Sequence, residues 1–138
     1  MVVIRNAKGD DASAISRLLT LLHDDPSITF DPQRIRQESK QFVAEKDGRT
    51  VGFVLVTLTD YGFSSYGMIE EFIVDTEQRG SGVGQQLMDA CLNWLASERA
   101  EVAFVSAGDV SAEAFYQHLG FRNCTGPWLY AVPKPEAQ

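Results

Sequence analysis

The sequence predicts one α/β domain, with a single mixed β-sheet, helices on both faces and the element order β-α-α-β-β-β-α-β-α-β-β. Three observations carry this prediction: a helical apolar period early in the chain, an Asp-Gly turn between two β-rich runs, and a strand that leads through glycines into a long amphipathic helix. A chain of 138 residues suits one such domain. We expect it to occupy residues 1–132, with a flexible tail at 133–138.

The first half of the chain supplies a strand, two helices and a hairpin. Residues 2–6 are predicted to form a short strand. A core-facing helix follows, because apolar residues recur at positions i, i+3, i+4 and i+7, namely Ile15, Leu18, Leu19 and Leu22. Asp31-Pro32 favours the start of a second short helix that ends near Lys40. The hairpin spans residues 42–58 and turns at Asp47-Gly48.

The second half alternates strands and helices. Residues 68–74 are apolar and β-branched enough to form a strand, and a helix with a broad apolar face runs from about Gly82 to Ser97. The chain then closes with short elements: a strand at 101–107, a helix capped by Asp109 or Ser111, and strands at 121–123 and 128–132.

Charge and hydropathy narrow the classes of partner. The formal net charge is −7, so a nucleic-acid partner, which needs a basic face, is not expected. An acidic surface favours cationic small molecules or basic peptides, and it serves solubility equally well. No apolar run approaches the roughly 20 residues of a membrane span, and Arg5 interrupts the apolar start of the chain. We therefore expect no membrane partner and a cytoplasmic protein.

The cysteines and histidines give no sign of a metal site. Cys91 falls on the apolar face of the long helix, and Cys124 has no second cysteine or clustered histidine beside it. His23 and His118 lie at the ends of predicted helices. The pattern is typical of two reduced thiols, and we expect no bound metal.

Glycines follow the predicted strand at 68–74 in a regular pattern. Gly80, Gly82 and Gly84 occupy every second position just before the long helix. Glycine lets the backbone approach a ligand closely, and the N–H groups at a helix start attract anions. Three glycines at this spacing would only weaken a simple turn, so they favour a loop that binds phosphate.

The spacing excludes two common phosphate loops. A P-loop needs Lys and then Ser or Thr after its last glycine, where Gln85 stands. A dinucleotide fingerprint fails in both registers, because its last position would be Gln85 or Leu87. The segment 79–84, Arg-Gly-Ser-Gly-Val-Gly, instead resembles the coenzyme A loop of the GNAT acyltransferases, Arg/Gln-x-x-Gly-x-Gly/Ala, at every required position.

A second signature near the C-terminus agrees with this resemblance. Residues 114–121, Ala-Phe-Tyr-Gln-His-Leu-Gly-Phe, are similar to the family's short last helix, which carries a tyrosine and ends in Gly-Phe. The two signatures occur in the family's order and at a fitting separation. The resemblance implies the GNAT fold for nearly the whole chain. It also implies an enzyme that moves acetyl from acetyl-CoA to a primary amine by direct attack in a ternary complex.

The resemblance further implies how acetyl-CoA is held. The pyrophosphate would lie over the backbone amides of the loop and helix start: Arg79, Gly80, Ser81, Gly82, Val83, Gly84 and Gln85. The pantetheine arm would pair with the main chain of Phe72, Ile73 and Val74 where the two neighbouring strands splay, and an N–H near Ile73 would polarise the thioester carbonyl. Asp109 replaces the family's common asparagine beside the coenzyme, where a carboxylate suits a helix cap better than a phosphate contact.

Two residues are implied in the chemistry. A primary amine has a pKa near 10.4, so a base must remove a proton before it can attack. In GNAT members with a Leu/Ile-Glu-Asp/Glu strand the first carboxylate is the proposed base, and that position is Glu70, acting through water. Strand alternation puts Glu71 on the opposite face unless a bulge intervenes. Tyr116, in the second signature, would protonate the departing thiolate.

The acceptor is expected to be a small cationic or amino-acid-like molecule. Glu71 is the candidate partner of its charge, and Phe30 and Tyr66 are candidates to line its pocket. Two alternatives stay open: acetylation of a protein N-terminus or lysine, and a non-catalytic domain that senses acyl-CoA. Homodimers are frequent in the resembled family, and Trp128 and Tyr130 could form such a contact.

Overall fold

The computed structural model describes residues 1–135. The chain forms two compact units, Met1–Ser106 and a smaller one that begins at Ala107. The first unit contains, in order, a 3-10 turn at Gly9–Asp11, helix α1 (Ala12–His23), strands β1 (Arg36–Lys46), β2 (Arg49–Asp60) and β3 (Ser65–Val74), a 3-10 turn at Thr76–Gln78, helix α2 (Val83–Ser97) and strand β4 (Val102–Val105). The second contains helix α3 (Val110–His118).

The predicted fold class is confirmed: one mixed sheet is flanked by helices. The strand order is β1-β2-β3-β4. The first three strands pair antiparallel through short hairpins, and β4 returns parallel to β3 after α2. A parallel return needs such a crossover helix, and this requirement places α2 against the sheet.

The β1–β2 hairpin forms as the Asp-Gly pair predicts. Asp47 and Gly48 both have positive φ angles, 52° and 77°, which is the conformation of a type I′ turn. Such a turn matches the right-handed twist of the two strands. The pairing then continues over the full length of both strands to Arg36 opposite Asp60, with one bulge between Ala44 and Glu45.

The core of the first unit lies between β2 and α2. Alternate residues of β2 are completely buried (Val54, Val56 and Leu58) because they share the face that α2 covers. From α2, the buried side chains are Leu87, Met88, Cys91 and Leu95, which follow the helical period. The apolar face predicted for this helix is therefore the face that packs on the sheet.

The two thiols have opposite environments, and this difference predicts opposite reactivity. Cys91 is completely buried, and burial raises the pKa of its thiol to about 11, so almost no thiolate exists at neutral pH. Cys124 is exposed. We expect an aromatic disulfide reagent to label one thiol per chain quickly in the folded protein and the second only after unfolding. A Cys124→Ser variant should lose the fast phase; a fast phase that persists would contradict the burial of Cys91.

The Cys91 pKa also predicts a change in stability at alkaline pH. The folded-state pKa lies above the ordinary value of 9.0, so the unfolded chain loses this proton first as the pH rises. The contribution to the free energy of unfolding is therefore complete below about pH 9 and is lost as the pH rises through about 11. Denaturant titrations of wild type and Cys91→Ala should show the steeper alkaline decline only in wild type.

The predicted helix between Asp31 and Lys40 is wrong, because these residues form a turn and the start of β1. Asp31 caps only the turn, accepting a hydrogen bond from the Gln33 N–H at 2.9 Å. The polar residues 37–41 are exposed and offer no apolar stripe for a helix to bury. The long β2 provides an edge for them to pair with, and Arg36 fixes this end through an ion pair to Glu98 at 2.9 Å.

The short strands predicted at both ends of the chain are also not observed. Residues 2–6 are exposed and have no strand partner among the described residues, although their composition favours a strand. In the described part of the second unit, α3 is the only helix or strand, so the strands at 121–123 and 128–132 are wrong. Of the predicted tail, residues 133–135 are exposed and 136–138 lie outside the described residues.

Candidate functional site

The glycine loop presents a helix start without a side-chain cap. Gly82 is the N-cap residue of α2, and the first i to i−4 bond of the helix runs from the Gln86 N–H to the Gly82 carbonyl at 3.1 Å. The amides of Gly82, Val83, Gly84 and Gln85 therefore have no acceptor within the helix. Four such N–H groups, at the positive end of the helix dipole, form a ready site for an anion.

The loop backbone reaches this arrangement through two left-handed glycines. Gly80 has φ of 80° and Gly82 φ of 89°, a region that other residues enter only at a cost. A Cβ built on either glycine would meet no atom within 4 Å, so the surface above both residues is open. The Ser81 hydroxyl donates a hydrogen bond to the Gln78 carbonyl, and this bond within the loop stabilises its conformation. The loop thus has the shape and the open approach that a diphosphate needs.

The pairing of β3 with β4 stops before β3 ends. The pairing of β3 with β4 ends at Ile69 opposite Val105, whereas β3 continues to Val74. Beyond Ile69, β3 is therefore not paired with β4. An extended ligand could pair with this edge in the way that peptides add to sheets.

The register shows which main-chain groups face the open edge. The Asp75 N–H donates to the Val51 carbonyl at 2.7 Å, so residue 75 directs its polar groups toward β2. Alternation along the strand then turns Ile73 toward β2 and Phe72 and Val74 outward. The position of the Ile73 carbonyl oxygen supports this orientation, because the oxygen lies 3.4 Å from a Cβ built on Gly52 of β2. The main-chain N–H and C=O groups that face away from β2 are thus those of Phe72 and Val74.

A bulge in β3 brings the two predicted carboxylates to one face of the sheet. Val56 pairs with Ile69 and Leu55 with Glu71, so Glu70 is the extra residue of β3. Glu71 shares the face of its partner Leu55, opposite the face that α2 covers. Glu70 lies on the same face, because its Oε1 accepts a hydrogen bond from Thr57 Oγ1 at 2.9 Å. Both carboxylates are exposed to solvent.

Thr57 is a site residue that the sequence did not indicate. Its hydroxyl holds one oxygen of Glu70, which leaves the other oxygen to act on a ligand or a water. The bulge adds Glu71 to this face, since regular alternation after Ile69 would turn Glu70 to the face of Thr57 and Glu71 to the opposite one. A threonine in a β-branched strand carries no sign of such a role, so only the register could find it.

A groove of about 520 Å³ lies at the end of the β2–β3 hairpin. Phe30, Tyr61 and Phe63 line it, and the Phe63 ring contacts the other two edge-on, with ring centroids 6.3 and 5.0 Å apart. Asp25 and Asp31 add two carboxylates to its wall. Hydrogen bonds from Ser27 lower the pKa of Asp25, so it stays ionised at neutral pH. The groove combines aromatic faces with negative charge.

Phe30 and Tyr66, the two aromatic residues predicted at the acceptor site, have different surroundings. Phe30 lines the groove. Tyr66 does not line it; its half-buried ring packs edge-on against Phe104 of β4, with ring centroids 5.8 Å apart. Tyr66 pairs with Thr59 and so lies on the same sheet face as Glu71. Tyr66, Glu70 and Glu71 are thus brought to one face.

Asp109 and Tyr116 belong to the second unit. Asp109 is the N-cap of α3, where its Oδ1 accepts a hydrogen bond from the Ala112 N–H at 2.8 Å. The predicted capping role is therefore observed. The half-buried Tyr116 ring packs edge-on against Phe115 and Phe121, with centroids 5.4 and 5.8 Å away. The Phe121 N–H donates to the Tyr116 carbonyl at 3.0 Å and closes the helix end.

Two absences hold for residues 1–135. No group of three or more histidine, cysteine, aspartate or glutamate side chains is arranged to hold a metal ion. No helix in this range has the length and apolar character to cross a membrane.

Sequence comparisons identify the family. The model of the acetyltransferase (GNAT) family matches residues 12–121, which is most of the chain. The chain is also 34% identical, over 141 aligned positions, to an aminoglycoside N(6')-acetyltransferase type 1 from Stenotrophomonas maltophilia. That alignment covers 94% of this chain and 92% of the relative.

Solved structures show the same fold at lower identity. An aminoglycoside 6'-N-acetyltransferase from Acinetobacter haemolyticus superposes with a TM-score of 0.63 at 20% identity, covering 91% of this chain and 83% of that one. A ribosomal-protein-alanine N-acetyltransferase from Brucella melitensis gives 0.59 at 16% identity, covering 91% and 96%. One fold thus carries enzymes named for different acceptors, so it does not choose between them. The chain belongs to the GNAT acetyltransferase family and is an N-acetyltransferase.

Proposed function

We propose that the chain transfers the acetyl group of acetyl-CoA to the primary amine of a small cationic molecule. The observation that carries this proposal is the 34% identity, over nearly the whole length of both chains, to a relative named as an aminoglycoside acetyltransferase. The aromatic groove with Asp25 and Asp31 supports it, because an ionised carboxylate beside aromatic faces attracts an ammonium group. The net charge of −7 favours the same class of acceptor.

The coenzyme half of the proposal is supported by the uncapped start of α2. The diphosphate would accept hydrogen bonds from the amides of residues 82–85, and the exposed Arg79 adds a positive charge to the same loop. The open edge of β3 supports the placement of the pantetheine arm. By register we assign the main-chain contacts to Phe72 and Val74, so one of these N–H groups, rather than that of Ile73, would polarise the thioester carbonyl.

Glu70 is the proposed base. Its free oxygen would take a proton from the ammonium form of the acceptor, directly or through water, and the neutral amine would then attack the thioester carbonyl carbon. The new C–N bond replaces the C–S bond as the thiolate leaves, and the nitrogen, which becomes positively charged on attack, releases its second proton to water to give the amide. Glu71, on the same face, is positioned to hold the acceptor's charge. The bulge therefore supports a division of roles between two adjacent carboxylates.

Tyr116 is the proposed acid that protonates the thiolate, on the strength of its place in the last-helix signature. Tyr116→Phe should lower kcat by about 100-fold, the low end for acid catalysis, with the Kd of acetyl-CoA unchanged. Stopped-flow kinetics and calorimetry on this variant and on wild type decide the role; a wild-type kcat in Tyr116→Phe removes Tyr116 from the chemistry.

A panel of acceptors tests the proposed function. Initial rates with acetyl-CoA are measured for aminoglycosides, linear polyamines, free amino acids and peptides with free N-termini or lysines. We expect kcat/KM to be highest for the polycationic small amines. Turnover of peptides alone would favour a protein acetyltransferase, and tight acetyl-CoA binding with no turnover of any amine would favour a sensor.

We also propose a homodimer that works in the cytoplasm. Trp128 and Tyr130 are exposed by 74% and 93%, and their large apolar surfaces would be stabilised by a partner copy. Sedimentation velocity should show a dimer that dissociates in a Trp128→Ser/Tyr130→Ser variant. A monomeric wild type at about 100 μM would remove this part of the proposal.

A further inference from the structure

Two glycines lie under α2 on the buried face of the sheet. A Cβ built on Gly52 of β2 would lie 2.7 Å from Leu87 Cδ1, and one built on Gly67 of β3 would lie 2.5 Å from both Leu95 Cδ atoms. Carbon atoms pack at about 3.5 to 4.0 Å, so neither methyl fits while its leucine stays in place. Each glycine therefore leaves the space that one leucine side chain of the helix occupies.

Backbone conformation does not explain these glycines. The glycines with positive φ are Gly48, Gly62, Gly80, Gly82 and Gly120. Gly52 and Gly67 are absent from this set and lie inside strands, where they pair with Val74 and Leu58; Gly52 also adjoins the bulge of the β1–β2 pairing. Glycine in a strand interior marks a bulge or a close approach of another element, and the leucine contacts show the close approach at both positions. That element is α2.

The two glycine–leucine contacts differ in which part of the molecule lies beside them. Leu87 lies one turn beyond the amides of residues 82–85, whereas Leu95 lies about 12 Å further along the helix. Gly52 also pairs with Val74, whose main chain faces the open edge of β3. A side chain at Gly52 would press on Leu87 above it and would contact the Ile73 carbonyl, 3.4 Å away. Gly52 therefore adjoins both parts of the proposed coenzyme site.

We infer that Gly52 is a positioning residue for the coenzyme: its missing side chain sets how closely the first turns of α2 approach the sheet, and thereby aims the helix amides at a ligand on the β3 edge. The inference rests on the proposed coenzyme site. Gly67 allows an equally close contact at the far end of the helix, where it only stabilises the packing of the helix on the sheet. One contact thus adjusts the distance between the diphosphate site and the pantetheine edge.

Two glycine variants test the inference. Gly52→Ala and Gly67→Ala introduce the same methyl under the same helix, and thermal melts measure the stability that each variant loses. Calorimetric titration with acetyl-CoA should give a Kd raised about tenfold in Gly52→Ala, the equivalent of one hydrogen bond to a charged group. In Gly67→Ala the Kd should stay within about twofold of wild type. A purely structural role would affect stability in both variants and affinity in neither.

Rescue gives the second readout. Leu87→Val removes the methylene that Gly52→Ala adds, so the double variant should recover an acetyl-CoA affinity near that of wild type. Should Gly52→Ala not fold, Leu87→Phe and Leu95→Phe apply the same pressure from the helix side. Leu87→Phe should then weaken acetyl-CoA binding, and Leu95→Phe should not.

The outcomes separate this inference from the proposed function. A wild-type protein that does not bind acetyl-CoA at millimolar concentration contradicts the coenzyme site itself. A wild-type protein that binds, with equal Kd values in the two glycine variants, contradicts only the role of Gly52. Leu87 also lines a groove of about 450 Å³ beside β1. If Leu87 turns into that groove and the affinity of Gly52→Ala is unchanged, the inference is equally overturned.

Discussion

Glu70→Gln is expected to lower kcat for amine acetylation at neutral pH by about 100- to 10,000-fold, the range that general base catalysis supplies. The amide keeps the size of the side chain and can still accept the Thr57 hydrogen bond through its oxygen, but it cannot take a proton. The acceptor must then lose its proton to bulk water. Steady-state rates with the best amine of the panel measure the loss.

Glu71→Gln provides the control for Glu70→Gln, because it removes the same charge from the adjacent residue on the same face. We expect it to raise the KM of the acceptor with little change in kcat, since its proposed role is binding. The Glu70→Gln defect should shrink as the pH rises toward the acceptor pKa near 10.4, where the amine loses its proton unaided. Equal kcat values in Glu70→Gln and wild type would show that water alone is the base.

Gly82→Asp is expected to weaken acetyl-CoA binding by about 100-fold or more. A carboxylate at the N-cap of α2 would occupy the free amides and repel the diphosphate; two like charges near a surface and about 4 Å apart interact by about 4 kcal/mol. Gly82→Asn imposes nearly the same shape at the same φ of 89° without the charge. The ratio of the Kd of Gly82→Asp to that of Gly82→Asn therefore isolates the electrostatic part of the loss of acetyl-CoA affinity.

Gly48→Asp is the matched control for Gly82→Asp. Gly48 has φ of 77° and nothing within 4 Å of a built Cβ, as Gly82 has, but it lies in the β1–β2 turn. The Gly48→Asp variant should be less stable than wild type but should bind acetyl-CoA with unchanged affinity. The Asp-to-Asn ratio at position 82 should also fall as salt is added, because salt screens exposed charges. A ratio near one at low salt would mean that the diphosphate binds elsewhere.

Local signals predicted the hairpin and the glycine loop before α2 well. The Asp47-Gly48 turn and the glycines before α2 each depend on backbone conformations that few residues adopt, so a short segment contains the whole signal. The early end of the β3–β4 pairing is compatible with the gap expected there from the family resemblance. The apolar period of α2 also matched its buried face, since that face packs on a continuous apolar strand.

The errors occur where distant partners decide the structure. Residues 36–41 carry no strand pattern, and only the length of β2 shows that they have an edge to pair with. Residues 2–6 carry a strand pattern but find no partner among the described residues. The bulge at Glu70 depends on the β2–β3 register, which no single strand encodes. Thr57 became visible through its contact across the two strands, and Gly52 through the close approach of Leu87 from α2.

Amide chemical shifts during a titration with acetyl-CoA test the central claim most directly. Nitrogen-15 correlation spectra follow every backbone N–H of the folded protein, and hydrogen bonds to a phosphate move amide protons downfield. We predict saturable downfield shifts at Val83, Gly84 and Gln85, with a smaller effect at the matched turn residue Gly48 or none. Saturable binding that leaves the amides of residues 82–85 unmoved would contradict the claim that the start of α2 holds the coenzyme.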